Sequence, residues 1–159
     1  ANVPSEWIEQ ILDYCDGFDN KYLFQSKNPA RFLKYLEHPV MKKSVLCTTI
    51  ETNRFYPDIM RNTLVPQERA AAMQEIANYG IPTYVTCEPL MKFDPAELVE
   101  LVRMCSPWQV NIGRNSRYDI VFNAYNFSYS IISIDIFPNN SISYSGCPAS
   151  RRKISINQI

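Results

Sequence analysis

Apolar positions along the first hundred residues alternate between helical spacing and short unbroken runs. In "PSEWIEQILDYC", Trp7, Ile8, Ile11, Leu12 and Cys15 fall on one helical face. Pro4 suits a first turn and Glu6 complements the N-terminal dipole, so a helix is predicted over Pro4–Cys15, stopped by Gly17. "KYLFQS", Lys21 to Ser26, predicts a strand. "NPARFLKYLEH" predicts a second helix, with Asn28 as N-cap, Pro29 at its first position and Phe32, Leu33 and Leu36 on one side. "SVLCTTI" predicts a second strand, and Arg54 to Leu64 a longer loop. "VPQERAAAMQEIANYG" predicts an Ala-rich helix over Pro66–Tyr79 ended by Gly80. "PTYVTCEP" is a third strand. "DPAELVELVRMC" is a helix with Asp94 as N-cap, Pro95 at its first position and Leu98, Val102 and Cys105 turned inward. "WQVNIG" is a fourth strand.

The order is therefore a helix, three strand–helix pairs and a strand. The strands are short, apolar and β-branched, and they lack the alternation of a half-exposed sheet. That is the pattern of a parallel sheet covered by helices. The expected fold is α/β: a partial (β/α) barrel-like parallel sheet of about four strands with covering helices over residues 1–116. The text then changes. No Leu follows Leu101 and no Glu follows Glu100, and residues 117–159 are dominated by Ile, Ser, Asn and Tyr. "YSIISIDIFPNNSISYSG" alternates like a β-hairpin turning at Pro138, Asn139 and Asn140. Two readings of this β-rich tail stand. It is a small appendage to the fold, or it is foreign to the fold, because an out-of-frame read of AT-rich DNA yields such Ile/Asn/Tyr/Ser text.

Composition narrows the function classes. The chain has 159 residues, 46% hydrophobic and 20% charged, which suits one globular domain. Formal net charge is +0, so no overall field favours nucleic acid or an anionic membrane. No apolar run approaches the ~18 residues that span a bilayer. "ANVPSEWIEQIL" has neither a basic n-region nor an apolar h-region, so it does not read as a signal peptide. It also lacks an initiator Met, which was removed or belongs to a longer protein that this chain continues. Cys15, Cys47, Cys87, Cys105 and Cys147 are odd in number and contain no Cys-x-x-Cys pair. Buried free thiols in a reducing cytosol are expected, with neither a disulfide framework nor a self-contained zinc site.

Ligands of parallel α/β folds bind at the carboxyl ends of the strands. Those ends carry Gln25, Ser26, Lys27 and Asn28; then Thr49, Glu51, Asn53 and Arg54; then Thr86, Glu88 and Lys92; then Asn111, Arg114, Asn115 and Ser116. One polar strand end means little, since every strand must exit, but four on one rim suggest a site. Glu51 and Glu88 each follow a strand directly. As a pair they could do acid–base work, or hold ribose hydroxyls or an ammonium group. The structural alternative is that each pairs with a base such as Lys27 or Arg114. His38, the one histidine, sits at a helix end before Pro39, where a cation complements the dipole. No Gly-rich phosphate loop, no Gly-x-Ser-x-Gly elbow and no basic stripe with interleaved aromatics occurs.

The strings "YLFQSKNPARFL", "TTIETNR", "PTYVTCEPLMKFDPAELVELV" and "WQVNIGRNS" together resemble a phage- and bacteria-associated, radical-SAM-like family of unknown function, from about Val3 to Ser116. In that family the matching stretches close successive strands of a partial (β/α) barrel. The resemblance implies that Lys27, Asn28, Glu51, Asn53, Glu88, Asn111 and Ser116 contact a cofactor or substrate, with Glu51 and Glu88 on ribose hydroxyls or a methionine ammonium. Lys27 and Arg114 would meet a carboxylate. Arg114 and Asn115 replace the small and acidic pair usual there. The family chemistry implies S-adenosylmethionine and an iron–sulfur cluster held by a Cys-x-x-x-Cys-x-x-Cys loop. That loop does not stand in this sequence. The cofactors are thus expected of an intact parent, a cytoplasmic enzyme, and none of this chain alone. Two other readings stand beside it: a non-catalytic phage or mobile-element α/β module that binds partners through its tail or open sheet edges, and a metal-independent barrel enzyme using Glu51 and Glu88.

Overall fold

The computed structural model describes residues 3–113 and the backbone of two later strands, 132–136 and 142–145. The chain starts with helix α1 (Ser5–Asp16), then strand β1 (Tyr22–Gln25). Two 3-10 helices follow, Pro29–Tyr35 and Pro39–Lys43, and lead to β2 (Ser44–Thr49). Next come the short α2 (Pro57–Met60), α3 (Pro66–Asn78), β3 (Thr83–Cys87), α4 (Pro95–Met104) and β4 (Gln109–Ile112). Strands β1 to β4 pair in sequence order and all in parallel, which is the α/β, barrel-like sheet that the apolar runs predict. Strands β5 (Ile132–Ile136) and β6 (Ile142–Ser145) continue the sheet antiparallel. The expected turn at Pro138–Asn140 lies outside the described residues.

Register and alternation divide the sheet into two unlike faces. Tyr22 and Phe24, Leu46 and Ile50, Val85 and Cys87, and Val110 and Ile112 share one face and join one apolar cluster. Leu12 of α1, Tyr35, Val40 and Met41 of the 3-10 segments, Ala70, Met73 and Ile76 of α3, and Leu98 of α4 complete that cluster. The other face carries Gln25, Cys47, Thr49, Tyr84, Thr86, Gln109 and Asn111. Its polar strand positions are what a ligand-facing surface would need.

Several local expectations are corrected. The segment after Asn28 winds as 3-10 rather than α-helix. It has few residues in which to return to β2, and Pro39 ends any helix at His38. Asn28 makes no side-chain cap; its own N–H donates instead to Ser26 Oγ at 2.9 Å. Asp94 is not a side-chain cap either, because other partners hold its carboxylate. The loop Arg54–Leu64 contains α2. Of the apolar face predicted for α1, only Leu12 is fully buried, while Trp7 and Ile11 face outward. Gly80 does terminate α3, with φ +96° in the left-handed region that glycine tolerates.

Leu46 is wholly buried at the centre of β2. Leu46→Ala is expected to lower unfolding free energy by about 2–5 kcal/mol, read from denaturant midpoints at unchanged m-value.

Candidate functional site

Beyond β2 the chain delivers Glu51 into the protein, where it is only 3% exposed. A buried carboxylate requires partners. Arg69 of α3, itself 0% exposed, donates from Nη1 to Glu51 Oε2 at 2.8 Å. The same guanidinium donates to the carbonyls of Thr49 and Leu64 and to Thr63 Oγ1. Lys27, just past β1, donates from Nζ to Glu51 Oε1 at 2.8 Å. One carboxylate thus serves two cations, and the cluster keeps a net positive charge on its outer side at Lys27. The structural alternative for Glu51, pairing with Lys27, is therefore present, with Arg69 as a second partner.

A second network closes the neighbouring loops. Arg54 grips Asp94 through Nε to Oδ2 at 3.0 Å and Nη2 to Oδ1 at 2.7 Å. Asn53 donates to Asp94 Oδ2 and Glu97 Oε2 and accepts from the Asp94 N–H at 2.8 Å. The Arg54 guanidinium, helped by the Asn53 amide, holds the Asp94 carboxyl down to about 2. Thr52 donates to the Lys92 carbonyl, and the Met91 N–H donates to the Glu51 carbonyl. Asn53 thus serves as a loop clasp and lies only 6% exposed.

The other sheet face carries a polar row, buried at Thr49 and exposed at Gln25. Gln25 Nε2 donates to Thr49 Oγ1 at 3.2 Å and to Thr86 Oγ1 at 3.4 Å, and the two threonine hydroxyls meet at 3.0 Å. Asn111 sits opposite Thr86 in the register and accepts from Gln109 Nε2. Glu88 stands exposed where β3 ends. Among the described residues, no side chain hydrogen-bonds or ion-pairs with its carboxylate. A Cβ on Gly113 would lie 2.5 Å from Glu88 Cδ, so the glycine leaves the carboxylate its place. No buried side-chain nitrogen or oxygen lacks a partner among the described residues. Spare hydrogen-bonding capacity therefore sits at the open rim, on Lys27 and Glu88.

Lys27, Glu51 and the Gln25–Thr49–Thr86 row come together here, with Glu88 and Asn111 on the neighbouring strands. Asn28 lies outside this cluster's hydrogen bonds. Arg114, Asn115 and Ser116 lie outside the described residues. His38 is engaged structurally: its Nδ1 accepts from Val40 N–H and its Nε2 meets Asp13 Oδ1 at 3.0 Å. Arg69 escaped the sequence reading, although its spacing to Met73 and Ile76, four and seven residues on, puts it on the buried stripe of α3. Cys47, Cys87 and Cys105 are buried, and burial pushes each thiol up to about 12. Such protonated thiols are poor metal ligands. No group of three His, Cys, Asp or Glu among the described residues could hold a metal. The chain's described residues do not fit an iron–sulfur cluster.

Arg69→Ala leaves Glu51 with Lys27 as its one cationic partner and removes the donor to the Thr49 and Leu64 carbonyls, and is expected to cost about 3–5 kcal/mol in denaturant unfolding. Arg69→Met combined with Glu51→Gln should restore much of that loss, since no buried charge remains unpaired. For Asp94 the folded value lies below the unfolded one, so its contribution exists above the ordinary carboxylate range and fades as pH falls. Stability should drop between about pH 4 and pH 2, and Asp94→Asn should flatten that part of the thermal-melting profile.

Comparison with protein-family models, curated proteins and solved structures finds no match to this chain.

Proposed function

We propose that the strand-end rim binds a small ligand with a zwitterionic head group and hydroxyls, and that the chain is part of a radical-SAM-like barrel protein whose ligand there is S-adenosylmethionine. The observation that carries the reading is the charge layout of the open rim. Lys27, on the β1 side, is the outer cation of a cluster with excess positive charge, and its side chain is 44% exposed. Glu88, two strands away, offers a carboxylate that no described side chain occupies. Adjacent strands lie about 4.8 Å apart, so the two groups spring from backbone about 10 Å apart, a span that a small ligand and two long side chains can bridge. Lys27 would meet a carboxylate and Glu88 an ammonium or a ribose diol. Between them the hydroxyls and amides of Thr86, Gln25 and Asn111 suit further polar groups. S-adenosylmethionine, when bound with a cluster, supplies radical chemistry; the cluster is assigned to the intact parent and not to these residues.

A second reading is a non-catalytic α/β module that binds a partner. Its support is that, among the described residues, β1 ends the sheet with no strand on its outer side, and that Leu23 is 56% exposed.

Calorimetric titration of the chain with S-adenosylmethionine separates the two. The full cofactor set was expected only of an intact parent, but the rim groups stand in this chain, so cluster-independent binding of S-adenosylmethionine is expected here, and Glu88→Gln should weaken it about tenfold or more, the loss of one charge-assisted hydrogen bond. Gly113→Ala, which displaces the Glu88 carboxylate, should weaken it similarly. No heat of binding at millimolar ligand, or affinity indifferent to both substitutions, would exclude the assignment.

A further inference from the structure

We propose that the polar sheet face carries a second subsite, below the rim, at which Tyr84 and Gln109 read the adenine-type edge of a nucleoside, an exocyclic amine beside a ring nitrogen. Tyr84 of β3 pairs in register with Cys47 of β2 and with Gln109 of β4, so Tyr84 and Gln109 are direct neighbours on that face. Both are half-buried. The polar groups around them are largely spent within the sheet. Gln25 Nε2 donates to Thr49 and Thr86, those two hydroxyls meet, and Gln109 Nε2 donates to Asn111 Oδ1 at 3.2 Å. Among the described residues, the Tyr84 hydroxyl and the Gln109 Oε1 atom have no hydrogen-bond partner. Burial, and then the neighbouring Cys47 and Glu88, push the phenol above its ordinary range, so at neutral pH it is a donor.

Those two unspent atoms select the ligand. A phenol O–H beside an amide oxygen is a donor beside an acceptor. Its complement is an acceptor beside a donor, which a purine with an exocyclic amine presents along one planar edge. A carboxylate or phosphate offers no donor to Gln109 Oε1, and an ammonium offers no acceptor to Tyr84. A vicinal diol offers both, but its hydroxyls rotate, whereas the purine edge is fixed; the Gln109 amide, held by Asn111, favours the preorganised partner. Position agrees with this. Tyr84 lies four residues before Glu88 on the same face, about 13 Å along the strand, so a nucleoside with its base at Tyr84 extends toward the rim. The subsite rests on reading this face as a ligand surface, and on neither of the charged rim groups.

Adenosine, which lacks a charged head group, is the probe. The ten tyrosines are labelled with carbon-13 at Cζ, and the Tyr84 resonance is the one that Tyr84→Phe removes. Adenosine should move that resonance and saturate. Tyr84→Phe and Gln109→Leu should each weaken binding about tenfold, the loss of one hydrogen bond, with the circular dichroism spectrum unchanged. Purine riboside, which lacks the exocyclic amine, should bind about tenfold more weakly than adenosine and should not distinguish Gln109→Leu from the original chain. A Tyr84 resonance unmoved at millimolar adenosine, equal affinity for purine riboside, or the same response to ribose alone would overturn the proposal. If Tyr84 ignores adenosine while S-adenosylmethionine binding depends on Glu88, the subsite falls and the rim reading stands. If Tyr84 and Gln109 hold adenosine while Glu88→Gln leaves S-adenosylmethionine affinity unchanged, the subsite stands and the charged-rim reading falls.

Discussion

The buried contact between Glu51 and Arg69 is the constraint on which the strand-end rim depends. It joins the loop after β2 to α3 where neither charge meets solvent. Desolvating two such groups is costly, and the pair persists because Arg69 spends its donors on four acceptors: the Glu51 carboxylate, two carbonyls and a hydroxyl. Those bonds also fix the turn that begins at Ile50 and the loop ending at Leu64. With the turn fixed, the Glu51 carbonyl accepts from Met91, and the loop after β3 is drawn onto the loop after β2. The Glu51 carboxylate then reaches Lys27 as well, so a single side chain links β1, β2 and α3.

This arrangement explains why the sheet has one apolar face and one polar face. Helices α1, α3 and α4 contribute their buried residues to one cluster and leave the other face to threonines, amides and the rim charges. Threonine suits both needs, since its branched side chain favours the strand while its hydroxyl joins the row with Gln25. Polar groups that close the loops, such as Asn53 and Asp94, have their partners within the chain. Among the described residues, Lys27 and Glu88 keep hydrogen-bonding capacity for something else. The division between groups that hold the loops and groups that face outward separates the scaffold from the proposed ligand surface.

The parallel sheet was legible because its strands are short β-branched runs alternating with capped or Pro-led helical segments. The strand-end rule also located Lys27, Glu51 and Glu88. What escaped follows from tertiary partners that local pattern does not carry. Asn28 and Asp94 have the residue types of N-caps, yet Arg54 and Asn53 claim the Asp94 carboxylate from 40 and 41 residues away in sequence. The Pro29 segment has helical apolar spacing, yet the short return to β2 winds it as 3-10 helix. Arg69 reads as one charge in an Ala-rich helix, and only its alignment with Met73 and Ile76 hints at burial. Trp7 and Ile11 read as core from periodicity, which counts apolar arc and not the area a fold has available to cover it.

The central claim is that the strand-end rim of the polar face, held by the Glu51–Arg69 contact, is the ligand surface of the protein. Its most direct test is a proton–nitrogen correlation spectrum followed during addition of S-adenosylmethionine. The account predicts amide shifts concentrated at Gln25–Asn28, at Thr86–Glu88 and at Asn111–Gly113, with the helical layer unmoved. Shifts scattered over α1, α3 and α4, or none at saturating ligand, would contradict it.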